Sequence, residues 1–131
     1  MPIGTYALYD LNKDGKPELL YWAESHLTVC VYRDGVVKSL ETTGFNTMNG
    51  PVKILENGAI LSAQVSTGAF YCYETLGADD TVTKLYFSNS DYGEPVYEFD
   101  NQTVSKDEWD RLTKAYFKIP EAKIEWTTFN K

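Results

Sequence analysis

At 131 residues the chain is long enough for one domain with a real core, and 43% hydrophobic and 24% charged residues are ordinary for a globular protein. A formal net charge of −7 argues against nucleic acid or an anionic membrane as a partner, and fits a divalent cation or a basic protein surface. No run approaches the roughly 18 consecutive apolar residues of a membrane span, and ten Tyr, six Phe and three Trp favour strands over helices.

The opening "MPIGTYALYD" has neither the basic start nor the apolar run of a signal peptide, which leaves a cytosolic protein or a mature secreted domain. Alternation of period two begins almost at once, near Tyr6, and favours a trimmed chain. "TYALYD" and "ELLYWAE" flank a polar loop that starts at Asp10. "LTVCVY" and "VVKSLE" flank "RDG", and "VKILE" and "AILSAQV" flank "NG", both tight-turn signals. "AFYCYETL" and "TVTKLYF" flank "GADD". Four consecutive hairpins over residues 4–100 account for the pattern. "CVYRDGVVKSL" from Cys30 echoes "CYETLGADDTVTKL" from Cys72, 42 residues later, a spacing like one propeller blade. The chain has room for about three such units, too few to close a propeller, so an open meander is expected.

The pattern changes at "VSKDEWDRLTKAYFKIP", which predicts a helix over about 105–117. Ser105 is its N-cap, with Glu108 completing a capping box and Asp107 favoured in the first turn. Trp109, Leu112 and Tyr116 share a face, with Phe117 at its margin, and Pro120 stops the helix. "AKIEWTTF" predicts a final strand over about 122–128. The expected architecture is one domain, 1–131, of mainly β (β+α) class. It is an antiparallel, blade-like meander of hairpins with one C-terminal helix packed on the sheet.

The polar loop carries the densest chemistry. Calcium takes six to eight oxygen ligands, several of them carboxylates. Asp10, Asn12 and Asp14 supply oxygens at positions one, three and five, and Gly15 permits the sharp turn at position six. The backbone carbonyl of Lys16 serves as position seven and Glu18 as position nine. An EF-hand needs a glutamate at position twelve, where this chain has Tyr21, and the flanks are strand-like rather than helical. The consistent reading is a calcium loop at a hairpin tip, closed by Glu18. The alternative is a metal-free turn, since Asp, Asn and Gly also favour turns without an ion.

"DLNKDGKPEL" resembles the calcium loop of the FG-GAP repeats of integrin-type propellers, in which D-x-D-x-D-G-x-x-D-L joins two strands. It is more similar still to secreted or lipid-anchored Gram-positive bacterial proteins of unassigned role. Those carry D-x-[DN]-x-D-G-x-P-E-L between alternating strands and often a terminal "V-S-x-x-E-[WYF]" helix, as in "VSKDEW". The resemblance implies a structural calcium ion on Asp10, Asn12, Asp14, Lys16 (backbone) and Glu18, and an extracellular or cell-surface location, with the cytoplasm as the alternative. It allows a lipid anchor elsewhere in a parent chain but no membrane insertion. The chain departs from FG-GAP in having one loop, Asn12 for Asp and Glu18 for Asp, and the first substitution removes a charge.

Other candidates are weaker. Cys30 and Cys72 sit in strand-like runs and read as two buried thiols, a disulfide between them being the alternative. His26, the only histidine, reads as a loop residue. Neither G-x-S-x-G nor a phosphate-cradling glycine loop occurs. Asp79–Asp80 and Asp91 with Glu94 read as solvated turn acids rather than a glycosidase pair. No catalytic set is recognisable, so an enzyme is not expected. Phe70, Tyr71, Tyr73, Tyr92 and Tyr97 read either as core or as rings that stack on sugars or anchor a protein. The "NQT" at Asn101 fits a glycosylation sequon that matters only in a eukaryotic secretory context. The expected function is a calcium-binding structural or binding module for carbohydrate or protein. An acidic inhibitor or decoy of a basic protein surface is the alternative, and a degenerate hydrolase a third.

Overall fold

The computed structural model describes residues 3–23, 26–40, 52–65, 68–77, 79, 81–90 and 93–130. Tyr92, Asp80 and Asp91 lie outside them, as does the stretch between the second and third hairpins. The chain is mainly β, with two antiparallel sheets and one helix packed against them. The first sheet holds β1 (Ile3–Tyr9), β2 (Glu18–Ala23), β3 (His26–Arg33), β4 (Val36–Leu40) and β11 (Thr127–Asn130), ordered β11-β1-β2-β3-β4. The second holds β5 (Val52–Ile54), β6 (Ile60–Val65), β7 (Gly68–Leu76), β8 (Val82–Ser90), β9 (Val96–Phe99) and β10 (Gln102–Val104), a plain meander in reverse order. Helix α1 spans Lys106–Phe117.

All four predicted hairpins form. β1–β2, β3–β4, β5–β6 and β7–β8 each pair antiparallel across their expected turns. The "RDG" turn places Asp34 and Gly35 both at positive φ, 53° and 81°, the pair of values that a two-residue turn matching strand twist requires. The "NG" turn is wider than the two-residue form. Gly58 N–H donates to the Leu55 carbonyl and Leu55 N–H to the Ala59 carbonyl, each at 2.8 Å, so a four-residue turn ends in a left-handed Gly58.

Strand alternation then decides what each face buries. In the first sheet Leu20 opposes Val29, Trp22 opposes Leu27 and Val29 opposes Leu40, placing all of them on one face. That face packs on Val52, Ile54, Ile60 and Leu76 of the second sheet, with Leu11 between. Each fully buried Leu, Ile or Val here contributes about 1.5–3 kcal/mol. The opposite face of the second sheet carries Leu61, Tyr71, Tyr73, Phe87 and Phe99, which meet Trp109 and Tyr116 of the helix. Phe87 is the hub of this second core: Tyr71 lies 5.2 Å away, Tyr116 5.7 Å and Trp109 6.4 Å between ring centroids.

The helix starts as its sequence demands. Ser105 Oγ accepts the Glu108 N–H at 3.1 Å, satisfying one of the free amides of the first turn. Its surface pairs, Lys106–Asp110 and Arg111–Glu108, are exposed and contribute little. Trp109 is the anchor, buried and donating its indole N–H to the Glu98 carbonyl at 3.1 Å. Thr113 is buried as well, its hydroxyl returned to the Trp109 carbonyl at 2.9 Å, whereas the expected face partner Leu112 is only half-buried.

Three expectations are corrected. The final strand runs over Thr127–Asn130, pairing with β1, rather than over 122–128. Residues 121–126 keep the alternating pattern but form a strap, bonded to the second sheet through Ala122 N–H to the Ile54 carbonyl at 2.8 Å. Ala122, Ile124 and Trp126 drop into the inter-sheet core, so the alternation reported burial, not a ladder. His26 is the first residue of β3, paired with Ala23, rather than a loop residue. A fifth hairpin, β9–β10, joins the four expected ones. Cys30 and Cys72 are both buried free thiols on different sheets. No helix among the described residues is long and apolar enough to cross a membrane.

Candidate metal centre

Residues 10–17 connect β1 to β2 at the end of the first sheet that faces the turns of the second. The loop folds around its own first carboxylate. Asp10 Oδ1 accepts the Asp14 N–H at 3.1 Å and Oδ2 accepts the Gly15 N–H at 2.7 Å. Asn12 Oδ1 faces the same Asp14 N–H at 3.3 Å, and Asp14 Oδ1 accepts the Lys16 N–H at 2.8 Å. Two residues adopt the left-handed conformation, Lys13 at φ 58° and Gly15 at 89°. The Lys13 ammonium folds back over the Tyr9 ring, 4.4 Å from the centroid, and bonds the phenol oxygen at 3.1 Å.

Glu18 closes the loop from inside. It opposes Tyr9 in the β1–β2 register, is fully buried, and its Oε1 accepts the Leu11 N–H at 2.8 Å. Asp10 is half-buried and Asp14 exposed, so the three acids form a wedge that runs from solvent to core.

The structure brings Asp10, Asp14 and Glu18 together: each offers a carboxylate oxygen within 4.8 Å of the others. Among the described residues this is the one group of three acidic, imidazole or thiol side chains near enough to share an ion. Three oxygens at the full 4.8 Å spacing would stand about 2.8 Å from a central point, so a small contraction reaches the 2.3–2.6 Å of calcium–oxygen bonds. Hard oxygen donors with two or three negative charges suit calcium rather than a softer metal. Asn12 presents its oxygen to the same loop, while the Lys16 carbonyl remains an expectation from loop numbering.

The loop is also bound from outside, which no local pattern announced. Asn12 Nδ2 donates to the Gly77 carbonyl at 3.2 Å, and Tyr9 OH donates to the Glu56 carbonyl at 2.9 Å. The Leu11 carbonyl presses on Gly58, where an added Cβ would lie only 1.9 Å from its oxygen. These partners sit 47 and more residues away in sequence, on the turns of the second sheet.

The remaining candidates resolve into structure. Asp79 accepts from Thr81, whose hydroxyl and N–H hold the carboxyl below the usual range, as suits a turn acid. Tyr71, Tyr73 and Tyr97 belong to the helix-facing core, and among the described residues of that set only Phe70 is exposed. No protein-family model, no curated protein and no solved structure matches this chain.

Proposed function

We propose that this chain is a calcium-stabilised, non-catalytic binding module that works outside the cell, with a carbohydrate or a protein as its ligand. The observation that carries this reading is the convergence of Asp10, Asp14 and Glu18 within 4.8 Å at a hairpin tip. Carboxylates so close repel one another, and a cation between them turns that repulsion into attraction. Asp10, Asn12, Asp14 and Glu18, with the Lys16 carbonyl, would hold the ion; when bound it supplies charge compensation and rigidity. The role is structural because the same oxygens already accept the loop's own N–H groups and shape it. An extracellular setting suits a loop with Asn at position three, since reduced charge belongs with the weaker calcium sites that only extracellular concentrations fill.

Thermal unfolding tests the reading. Calcium at 100 times its dissociation constant adds about 2.7 kcal/mol, a rise of roughly 10 °C for a domain of this size. Magnesium should raise the midpoint less, a chelator should abolish the rise, and Asp14→Ala should remove it. An unchanged midpoint at 10 mM calcium would leave the loop as a metal-free turn.

A further inference from the structure

Part of one face of the second sheet is covered by neither the first sheet nor the helix. The register sets Phe70 of β7, Ser88 of β8 and Glu98 of β9 in one row across it. Tyr86 stands in the next row, opposite Cys72. Phe70 and Tyr86 are therefore diagonal neighbours, roughly 7–8 Å apart along the sheet. Both rings are open to solvent, 43% and 48% exposed, whereas Tyr71 and Phe87 between them turn to the helix.

A polar rim accompanies the rings. The β9–β10 turn is made of Asp100 and Asn101, both in the left-handed region at φ 52° and 67°, which Asp and Asn tolerate better than other residues with a side chain. Asp100 N–H donates to the Tyr86 carbonyl at 2.9 Å, which fixes the turn to the strand that carries the ring. Glu98 is held from behind by the Trp109 indole on its carbonyl. Phe70, Tyr86, Ser88, Glu98 and Asn101, with Tyr71 and Phe87, line one shallow, open depression of about 80 Å³, a surface on which a ring can lie rather than a pocket that encloses it.

We propose that this depression is a binding subsite for a neutral pyranose sugar. Such a sugar has an apolar C–H face and a girdle of hydroxyls that both donate and accept. The two exposed rings offer the flat apolar surface. Glu98 offers acceptors only, the Asn101 amide offers both donor and acceptor, and Ser88 offers a hydroxyl, which together match a run of sugar hydroxyls. An anionic ligand is disfavoured by Glu98 and by the net charge of −7. A purely aliphatic side chain would strand the rim groups without partners. The inference rests on the reading of the chain as a binding module but not on its calcium loop. Phe70 lies near one end of β7 and the Gly77 carbonyl that holds the Asp10 loop lies just past the other, roughly 20 Å along the strand.

The test is an amide-shift titration of the whole chain with tetrasaccharides of glucose, galactose, mannose, xylose and N-acetylglucosamine, each in calcium and in chelator. The expected result is millimolar binding of at least one probe with shifts at Phe70, Tyr86, Ser88 and Asn101. Phe70→Ala should weaken it at least tenfold with an unchanged unfolding midpoint, and Leu8→Ala, an exposed residue of the other sheet, should not. Silence of these amides toward every probe, or affinity that survives Phe70→Ala, overturns the proposal. Sugar binding that persists in chelator with no calcium-dependent stabilisation would sink the calcium reading alone. Calcium stabilisation without sugar binding would sink this one alone.

Discussion

The side-chain amide of Asn12 joins two parts of the molecule that are 65 residues apart in the chain: its nitrogen donates to the Gly77 carbonyl at 3.2 Å, while its oxygen faces the Asp10 loop. An aspartate at this position would have no hydrogen to give to Gly77. The asparagine therefore gives up a charge in the loop for a tie to the second sheet.

Asn12→Asp separates these two roles. In chelator the variant should be less stable by about 1 kcal/mol, the ordinary net value of a lost hydrogen bond. In calcium it should bind more tightly, because a fourth carboxylate joins the loop. Denaturant unfolding in chelator and calorimetric titration measure the two effects separately. A variant stable in chelator would mean that the Gly77 contact contributes nothing.

Gly58 and Gly15 both sit at positive φ, 91° and 89°, but only Gly58 is pressed by a neighbour, the Leu11 carbonyl. Gly15→Ala should cost about 1–2 kcal/mol, the penalty of the left-handed backbone alone. Gly58→Ala should cost more, on the order of 3 kcal/mol or above, since backbone must move apart at the seam between the sheets. Equal losses in urea denaturation would show that the seam yields freely.

Burial, then the nearby Glu74 charge, pushes the Cys72 thiol up from 9.0 to about 12. The thiolate is the reactive form. At pH 9 its population should thus be roughly five-hundredfold below that of an unperturbed thiol, and iodoacetamide should modify Cys72 only on unfolding. The sign for stability follows. The folded state keeps its proton where the unfolded chain loses it, so this contribution is intact below pH 9 and declines from there towards pH 12. Rapid labelling of Cys72 in the native protein, read by mass spectrometry, would contradict this.

The turns explain how much of this fold was legible beforehand. Asp34–Gly35 and Asn57–Gly58 announce their hairpins because their residue types tolerate positive φ. Ser105 and Glu108 announced the helix start in the same local way. The Asp100–Asn101 turn has no glycine to mark it, and its "NQT" also fits a sequon. The division into two sheets has no local signature at all. Nor has the place of β11 beside β1, from Ile3 opposite Asn130 to Tyr6 opposite Thr127, a contact across nearly the whole chain. In the candidate site, spacing alone brought forward Asp10, Asn12, Asp14 and Glu18. The grip of Glu56, Gly58 and Gly77 on that loop was hidden for the same reason as the sheets. Likewise "AFYCYE" is aromatic on both faces, so only the tertiary packing tells exposed Phe70 from buried Cys72.

The pairing of β11 with β1 also sets an order in time. During synthesis β1–β4 leave the ribosome first, yet the outer edge of β1 stays unpaired until residues 127–130 follow. Through that interval the nascent chain carries an open strand edge, the feature most prone to pairing with a stranger. The aromatic rings shared by the second sheet and its helix all lie within residues 52–117 and can come together before β11 is made. The strands that come first in this domain are thus among the last to be sealed.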